Sequence, residues 1–311
     1  MKIRNKILVA LAILLAAYLV LEKMALPGNA PTRPTTENGS PQIQTSVSFY
    51  PLAYLVEQIA GKNAHLITIT PAGMEPHDFE PSPTDIAKIY GSKIFIFNGN
   101  GLEPWAEKIA GDVSKEQNTS VIKLSDYLAS ITEPTIGADP HFWLDPNNMS
   151  LAADKITQAF VDKDNTNAQY YMANRDSLKE KLTQLDQAFA TGLANCTNRE
   201  IITTHDAFGY MAKRYNFTTF HILGFSPDED PSPKTIASIS TLAKKKNAQY
   251  IFFENAASPK LAQTIAQEVG AQTLVLNPIE SLNETERAEN QDYLSLMNIN
   301  LQNLRTAMIC K

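Results

Sequence analysis

The chain has 311 residues, of which 43% are apolar and 19% charged, a composition typical of a globular protein with enough apolar side chains for two modest cores. The formal net charge is -6, and because residues 1–44 contain five basic and two acidic side chains, residues 45–311 carry -9. An acidic body of this kind argues against a nucleic-acid partner, because phosphate binding needs a basic surface.

The N-terminus has the order of an export signal. A basic stretch, MKIRNK, precedes fifteen apolar residues without a charge, Ile7 to Leu21. As a helix with a rise of 1.5 Å per residue this run spans about 22 Å, which is short for a bilayer unless residues 24–26 extend it. We predict a signal sequence or membrane anchor at residues 1–26; both alternatives stay open.

The next segment, residues 27–44, is rich in Pro, Thr, Asn, Gly and Ser and has few apolar side chains. Such a segment cannot bury a core, and we predict a flexible linker. Residues 22–44, which follow the apolar run, contain no cysteine, so a lipid anchor on cysteine is not expected. The protein is predicted to act outside the cytoplasm, in the periplasm or at the cell surface, with anchoring by residues 7–26 as one alternative.

From residue 45 onward, short β-rich stretches alternate with helical patterns. We predict strands at TSVSF, AHLITIT, KIFIFNG and SVIKL, and helices at PLAYLVEQIAG, at residues 82–90 and at LEPWAEKIAG. Strands of this length between helices imply βαβ units around a mostly parallel sheet. Residues 45–146 are predicted to form an N-terminal lobe.

The strand pattern is interrupted between Asn165 and Leu193. This stretch has no proline, and its apolar residues recur mostly every three or four positions, as in an amphipathic helix. A helix of about 28 residues is about 42 Å long, more than one small lobe needs. We predict one long rigid helix that joins two lobes, within a connecting region at residues 147–196.

The alternation returns after Cys196. We predict strands at REIITTH, FTTFHIL, QYIFFE and QTLVLNP, and helices at AFGYMAKRYN, near 233–246, at KLAQTIAQEVG and near 286–308. Residues 197–311 are predicted to form a C-terminal lobe. The predicted fold class is α/β, with two lobes that each contain a mostly parallel sheet flanked by helices.

The two cysteines of the chain, Cys196 and Cys310, are predicted to form a disulfide bond, because an exported protein folds in an oxidising compartment. A bridge that closes a loop of this length contributes on the order of 4 kcal/mol in the loop-entropy model. Two free thiols are the alternative. Neither cysteine has a neighbour at C-x-x-C spacing, which argues against a cysteine-based metal site.

Three of the five histidines are predicted to follow the end of a strand: His77 in MEPHDFEP, His141 in ADPHFWLDP and His205 in TTHDAFGY. In open α/β sheets the carboxyl ends of the strands meet at a crevice where ligands bind. Neutral imidazole suits zinc and other late first-row ions, and the prolines near His77 and His141 restrict their loops. We predict a metal site in this crevice.

A fourth ligand is needed for a tetrahedral site, and the second lobe offers two carboxylates after predicted strands. These are Glu254 in IFFENAASP and Glu280 in LNPIESL, and spacing alone does not choose between them. Asp78 and Asp206, each next to a histidine, are predicted to cap helices or to orient the imidazoles. His65 is predicted to lie on the surface, and His221 to pack near the cleft of the second lobe.

Five motifs together carry a family resemblance: PAGMEPHDFEPSPTDI, DPHFWLDP, THDAFGYMAKRY, GFSPDEDPSPKTI and LNPIESL. Over about residues 45–310, and in this order, the chain resembles the cluster A-I metal-binding proteins of ABC importers, the family of zinc and manganese solute-binding lipoproteins and related adhesins. The resemblance implies two lobes, joined by a rigid helix, that hold one metal ion and deliver it to a membrane permease.

The resemblance also implies the metal ligands, which are His77, His141, His205 and Glu280. Three histidines with one carboxylate are similar to the zinc members, and the nitrogen-rich set favours Zn(II) over Mn(II). This sequence departs from the family pattern in three ways. It lacks the lipobox cysteine and the His-rich acidic loop, and it has Glu280 where many relatives have Asp.

The predicted function is capture of Zn(II), the transported ligand, without catalysis. The implied partners are an ABC permease and the membrane, and a monomer is expected. A zinc-dependent hydrolase is one alternative, but the sequence has no H-E-x-x-H and no G-x-S-x-G motif. A surface adhesin that contains zinc is the other alternative.

Overall fold

The computed structural model describes residues 42–115, 119–131, 139–226, 232–254 and 260–311. The predicted signal or anchor at 1–26 and nearly all of the predicted linker at 27–44 lie outside the described residues. Within the described part of the chain, every helix is too short or too polar to cross a bilayer.

The first lobe contains a four-stranded parallel sheet with the order β2-β1-β3-β4. Its strands are β1 (Ile43–Val47), β2 (Ala64–Thr68), β3 (Ile94–Phe97) and β4 (Ser120–Lys123). Its helices are α1 (Tyr50–Ala60), α2 (Pro83–Tyr90), α3 (Pro104–Val113) and α4 (Leu124–Ile131). All four residues of β3 are apolar and buried, because an inner strand of a parallel sheet is covered on both faces. The predicted βαβ pattern is confirmed here, although α4 was not predicted.

The connecting region contains two long helices rather than one. Helix α5 (Pro146–Lys163) packs along α6 (Ala168–Gly192), which is the predicted long helix. Helix α5 was not predicted. Pro146 occupies the first helical position, where a missing N–H costs nothing, and Asp145 accepts a hydrogen bond from the Asn147 backbone N–H.

Helix α6 has 25 residues and contacts both lobes. It packs against α1 of the first lobe and against α11 (Tyr293–Ala307) near the C-terminus. Its buried side chains recur every three, four or seven residues, in agreement with the predicted amphipathic pattern: Tyr171, Leu178, Leu182, Leu185 and Phe189. The helix therefore forms a packed connection between the two lobes.

The second lobe contains two parallel strand pairs. They are β5 (Glu200–Thr203) with β6 (Thr218–His221), and β7 (Tyr250–Phe253) with β8 (Gln272–Val275). Strands β5 and β7 are neighbours in space. The helices are α7 (Gly209–Tyr215), α8 (Pro233–Lys246), α9 (Lys260–Val269), α10 (Glu284–Ala288) and α11. The single helix predicted near 286–308 is thus two, because Asn290 takes a positive φ of 54° and Asp292 caps a new helix.

One apolar cluster extends through both lobes and the connecting helices. It includes Phe49 of the first lobe, Phe189 of α6 and Leu304 of α11, all fully buried. Each lobe also has a smaller cluster of its own. Because close-packed side chains transmit strain rather than slide freely, this shared core sets the distance between the lobes.

Cys196 and Cys310 form a disulfide bond, as predicted. The bond links the segment after α6 to the C-terminus and closes a loop across 114 positions of the chain.

Replacing both cysteines by serine is expected to lower the free energy of unfolding by about 4 kcal/mol, because the unfolded chain gains the entropy that the closed loop removed. Urea unfolding of the oxidised parent and of the double variant measures the difference. The reduced parent protein should have the same free energy of unfolding as the double variant. Equal stability of all three samples would contradict the expectation.

Candidate metal centre

The candidate centre is built from four loops. His77 lies in the proline-containing loop between β2 and α2, His205 lies two residues after the end of β5, and Glu280 follows β8. His141 immediately precedes the short 3-10 turn Phe142–Leu144. The prediction that His141 follows a strand is wrong, because β4 is followed by helix α4 instead.

The structure brings all four predicted side chains together between the lobes. The Nε2 atoms of His77 and His141 are 3.2 Å apart. The Oε1 atom of Glu280 lies 3.3 Å from His141 Nε2, 3.7 Å from His77 Nε2 and 3.9 Å from His205 Nε2. All four potential ligand atoms lie within 4.8 Å of one another. Ligand atoms around tetrahedral zinc, with bonds of about 2.0 Å, are about 3.3 Å apart, so this spacing fits a metal ion.

The side chains of the centre are deeply buried, and two of their polar atoms lack a hydrogen-bond partner in the described part of the chain. His141 and His205 are fully buried, and Glu280 is 4% exposed. His205 Nε2 and Glu280 Oε1 have no hydrogen-bond partner among the described residues. Because a buried polar atom without a partner is costly, and both atoms face the same point, a cation between them would satisfy both.

Two further carboxylates orient the imidazoles. Asp139 Oδ1 accepts hydrogen bonds from Nδ1 and from the backbone N–H of His141, at 2.8 and 2.9 Å. Glu254 is hydrogen-bonded to Nδ1 of His205 and also accepts a 2.6 Å hydrogen bond from the Thr204 hydroxyl. Both contacts leave Nε2 of the ring facing the centre, an arrangement common around metal-binding histidines. Glu254, the alternative fourth ligand, thus lies behind His205.

The role of Asp139 was missed by the sequence analysis. The only available signal was its position two residues before His141 in ADPH. Asp206, which was predicted to cap a helix or orient an imidazole of the site, instead lies 3.2 Å from Nδ1 of His221. His221 is exposed rather than packed near the cleft, whereas His65 is exposed as predicted.

Glu280 is presented by a strained turn. Ile279, directly before it, has a φ of 59°, which is rare for a β-branched residue. Its backbone N–H donates to Oδ1 of Asn277 at 2.8 Å. Asn277 is held in turn by Asn300 of α11 and by Glu286 of α10. Strain of this kind persists only where surrounding contacts fix it, and it is often found at functional sites.

Hydrogen bonds also link the His77 loop to the second lobe. The backbone N–H of Gly73 donates to Oγ of Ser281, next to Glu280. The hydroxyl of Ser226 donates to Asp78, next to His77, at 3.2 Å. This contact was not predicted for Asp78, which we had expected to cap a helix or orient an imidazole.

Residues 46–307 match the ZnuA family model, which is described as zinc-uptake complex component A, periplasmic. The chain belongs to this family. The description names a component of an uptake complex, which is a transport protein and not an enzyme.

Known ZnuA-family proteins resemble the chain over most of its length. The high-affinity zinc uptake system protein ZnuA of Bacillus subtilis (strain 168) is 32% identical over 314 residues, which cover 97% of this chain and 98% of that protein. The Zn(II)-bound ZnuA-like domain of Streptococcus pneumoniae AdcA superposes with a TM-score of 0.76 at 32% identity, over 86% of this chain and 99% of that domain. The match covers 58% of the longer AdcA chain.

A third relative in the ZnuA fold is the laminin-binding protein Lmb of Streptococcus agalactiae, described as bifunctional with adhesin and metal transporting activity. It is 28% identical, with a TM-score of 0.74 over 86% of this chain and 99% of that one.

The pKa values of the histidines at this ZnuA-family site differ from one another in the metal-free protein. Burial lowers the pKa of His77 to about 4. Burial also lowers the pKa of His141, but its hydrogen bond with Asp139 and the nearby carboxylate of Glu280 outweigh burial and raise that pKa to about 9. Burial raises the pKa of Glu280, but His141, 3.3 Å from its Oε1, and the charges of the imidazoles lower it to about 2. His141 and Glu280 therefore form a buried ion pair.

In metal-free protein at pH 7, we expect His141 to be protonated and His77 neutral. The stabilisation from the raised pKa of His141 is complete below its ordinary value of 6.5 and is lost as pH rises through about 9. The stabilisation from Glu280 is complete above its ordinary value of 4.5 and is lost as pH falls towards 2. The protonation states are tested by following the NMR chemical shifts of both imidazole rings as a function of pH, with His77 as the internal reference. A neutral His141 ring at pH 7 would contradict it.

Proposed function

We propose that this protein captures Zn(II) outside the cytoplasm and delivers it to the permease of an ABC importer, with His77, His141, His205 and Glu280 as the ligands. The observation that carries the proposal is the convergence of these four side chains, two from each lobe, with all four ligand atoms within 4.8 Å. Membership of the ZnuA family supports the transport role.

The chemistry of the four donors favours zinc. Three imidazole nitrogens and one carboxylate oxygen match the donors and the coordination number of zinc, whereas manganese prefers more oxygen ligands. Four protein donors also complete a tetrahedron and leave no position for a reactive water, as expected of a protein that carries zinc as cargo. A hydrolase would need one open position.

The proposal includes the organisation of the whole chain. Residues 45–146 and 197–311 are the two metal-binding lobes, and residues 147–196 connect them. Residues 1–26 export the protein and either remain as a membrane anchor or are removed, with residues 27–44 as the linker. The basic N-terminus, the apolar run after it and the periplasmic description of the family support this organisation. One chain supplies all four ligands, so a monomer suffices.

A second candidate function, adhesion at the cell surface, is favoured by one observation. Lmb, which shares the fold at 28% identity, is described as having adhesin activity in addition to metal transport. The two functions are compatible in one chain, and the metal centre supports the first of them directly.

The purified protein is expected to bind one equivalent of Zn(II) and to gain thermal stability, because the ion binds the folded state alone. His141→Ala should weaken zinc binding more than about 100-fold, since loss of a ligand exceeds the effect of losing a residue that orients one. Competition against a chromophoric chelator measures the affinity. His221→Ala is the matched control and should bind as the parent does. Parent-like binding by His141→Ala would show that the ligand assignment is wrong.

Asp139→Asn is expected to weaken zinc binding by about 10- to 100-fold, because His141 loses the carboxylate that fixes its ring and increases its basicity. Asp206→Asn is the control, since Asp206 contacts the exposed His221 and not the centre. Isothermal titration of both variants with Zn(II) measures the effect. Equal zinc affinities of the two variants would show that Asp139 does not contribute to zinc binding.

A further inference from the structure

The turn that follows β3 has an unusual backbone. Its sequence is Asn98-Gly99-Asn100-Gly101, and the last three of these residues have φ values of 86°, 54° and 79°. Glycine adopts positive φ values freely, and asparagine tolerates them better than most residues with a Cβ. The sequence NGNG therefore suits this one shape, and backbone of this kind persists only where surrounding contacts fix it.

A buried carboxylate fixes the turn. Glu103 is fully buried, and its two carboxylate oxygens accept hydrogen bonds from the backbone N–H groups of Asn98 and Gly99, both at 3.0 Å. The hydroxyl of Ser48, which follows β1, donates to the same carboxylate. Three donors compensate for the burial of this charge and tie the turn to the sheet of the first lobe.

The two asparagine side chains of the turn reach the segment that carries His141. Nδ2 of Asn98 donates to the carbonyl oxygen of Pro140 at 3.0 Å, and Nδ2 of Asn100 donates to that of Asp139 at 3.2 Å. Asp139 and Pro140 are the two residues directly before His141, and all three lie outside helices and strands. Because this segment is buried, its backbone carbonyls need partners, and the two asparagines supply them.

The Asn98 side chain contributes through its donors alone. Nδ2 also donates to the carbonyl oxygen of Gly99 at 3.0 Å, whereas Oδ1 is buried and has no hydrogen-bond partner among the described residues. Both contacted atoms are carbonyl oxygens, so the amide nitrogen must face them. A buried acceptor without a partner lowers stability, which indicates that Asn98 serves to hold the Pro140 carbonyl.

We propose that Asn98 and Asn100 are positioning residues for zinc binding, which place His141 by holding the carbonyls of the two residues before it. The inference rests on the proposed function, because it concerns the same centre. Asp139 Oδ1 accepts hydrogen bonds from Nδ1 and from the backbone N–H of His141, so a shift of Asp139 also turns the ring. Ligands must be held within about 0.5 Å of their productive positions, and the turn after β3 provides this support for His141.

Asn98→Ala is expected to weaken zinc binding by about tenfold, in the range found for residues that orient a metal ligand. Competition of the full-length protein against a chromophoric chelator measures the affinity. Asn174→Ala is the matched control, because it removes a 2.9 Å hydrogen bond from helix α6 to the carbonyl oxygen of Ile59. The control should change zinc affinity by less than about twofold, since losing this bond leaves the His141 segment intact.

Asn100→Gly separates positioning from folding. Glycine adopts the φ of 54° without cost, so this variant removes the amide donor and keeps the shape of the turn. We expect a melting temperature of the metal-free protein within about 3 °C of the parent, because one partly buried hydrogen bond is lost. Zinc binding should nevertheless weaken by about threefold, as expected for loss of one neutral hydrogen bond.

NMR of the zinc-loaded protein gives a readout that a general loss of stability would not change. Nδ1 of His141 is hydrogen-bonded to Asp139, and Nδ1 of His205 to Glu254. Asn98→Ala and Asn100→Gly should each shift the Nδ1 proton resonance of His141 and leave that of His205 in place.

The outcomes separate this inference from the proposed function. A parent protein that does not bind zinc would refute both. If the parent binds zinc, parent-like affinity of both variants would overturn the positioning role alone. An unchanged His141 resonance, or equal shifts of the His141 and His205 resonances, would overturn it as well.

Discussion

The structure depends on the contact between the Glu280 carboxylate and three imidazoles. Glu280 Oε1 lies within 3.9 Å of the Nε2 atoms of all three histidines and has no hydrogen-bond partner among the described residues. A carboxylate buried in this way is stable only if opposite charge lies beside it. The lobes must therefore hold a fixed separation, and the shared apolar core and helix α6 provide it.

The three histidines are not held equally. His141 and His205 are fully buried, and each has a carboxylate on Nδ1. Among the described residues, no hydrogen bond fixes Nδ1 of His77, and its loop contacts the second lobe through hydrogen bonds at Gly73 and Ser226. The ring of His77 is therefore held by fewer hydrogen bonds than the rings of His141 and His205. In the proposed zinc centre, this difference would let His77 leave the ion while His141 and His205 keep their orientation.

Local sequence patterns predicted the regular elements and failed where long-range contacts decide the outcome. The period of helix α6 and the cap of α2 at Ser82 are properties of neighbouring residues, and both are readable from the sequence. Helix α5 was missed because Pro146 begins a helix as readily as it ends one. Glu254 and Glu280 both follow strands, so their spacing is equivalent. The family resemblance favoured Glu280, and the tertiary fold shows the physical reason, because Glu254 supports His205 whereas Glu280 faces the centre.

The turn at Ile279 explains why local sequence patterns do not distinguish Glu280 from Glu254. A β-branched residue with a φ of 59° is unfavourable by itself, and contacts from Asn277 and helices α10 and α11 impose it. The metal-free fold combines three unfavourable features at the centre. They are the strained turn, the buried ion pair and the polar atoms without partners, and each lowers the stability of the metal-free protein. A bound cation removes part of that cost as well as forming its own bonds. Metal affinity and fold stability are therefore linked through the same few side chains.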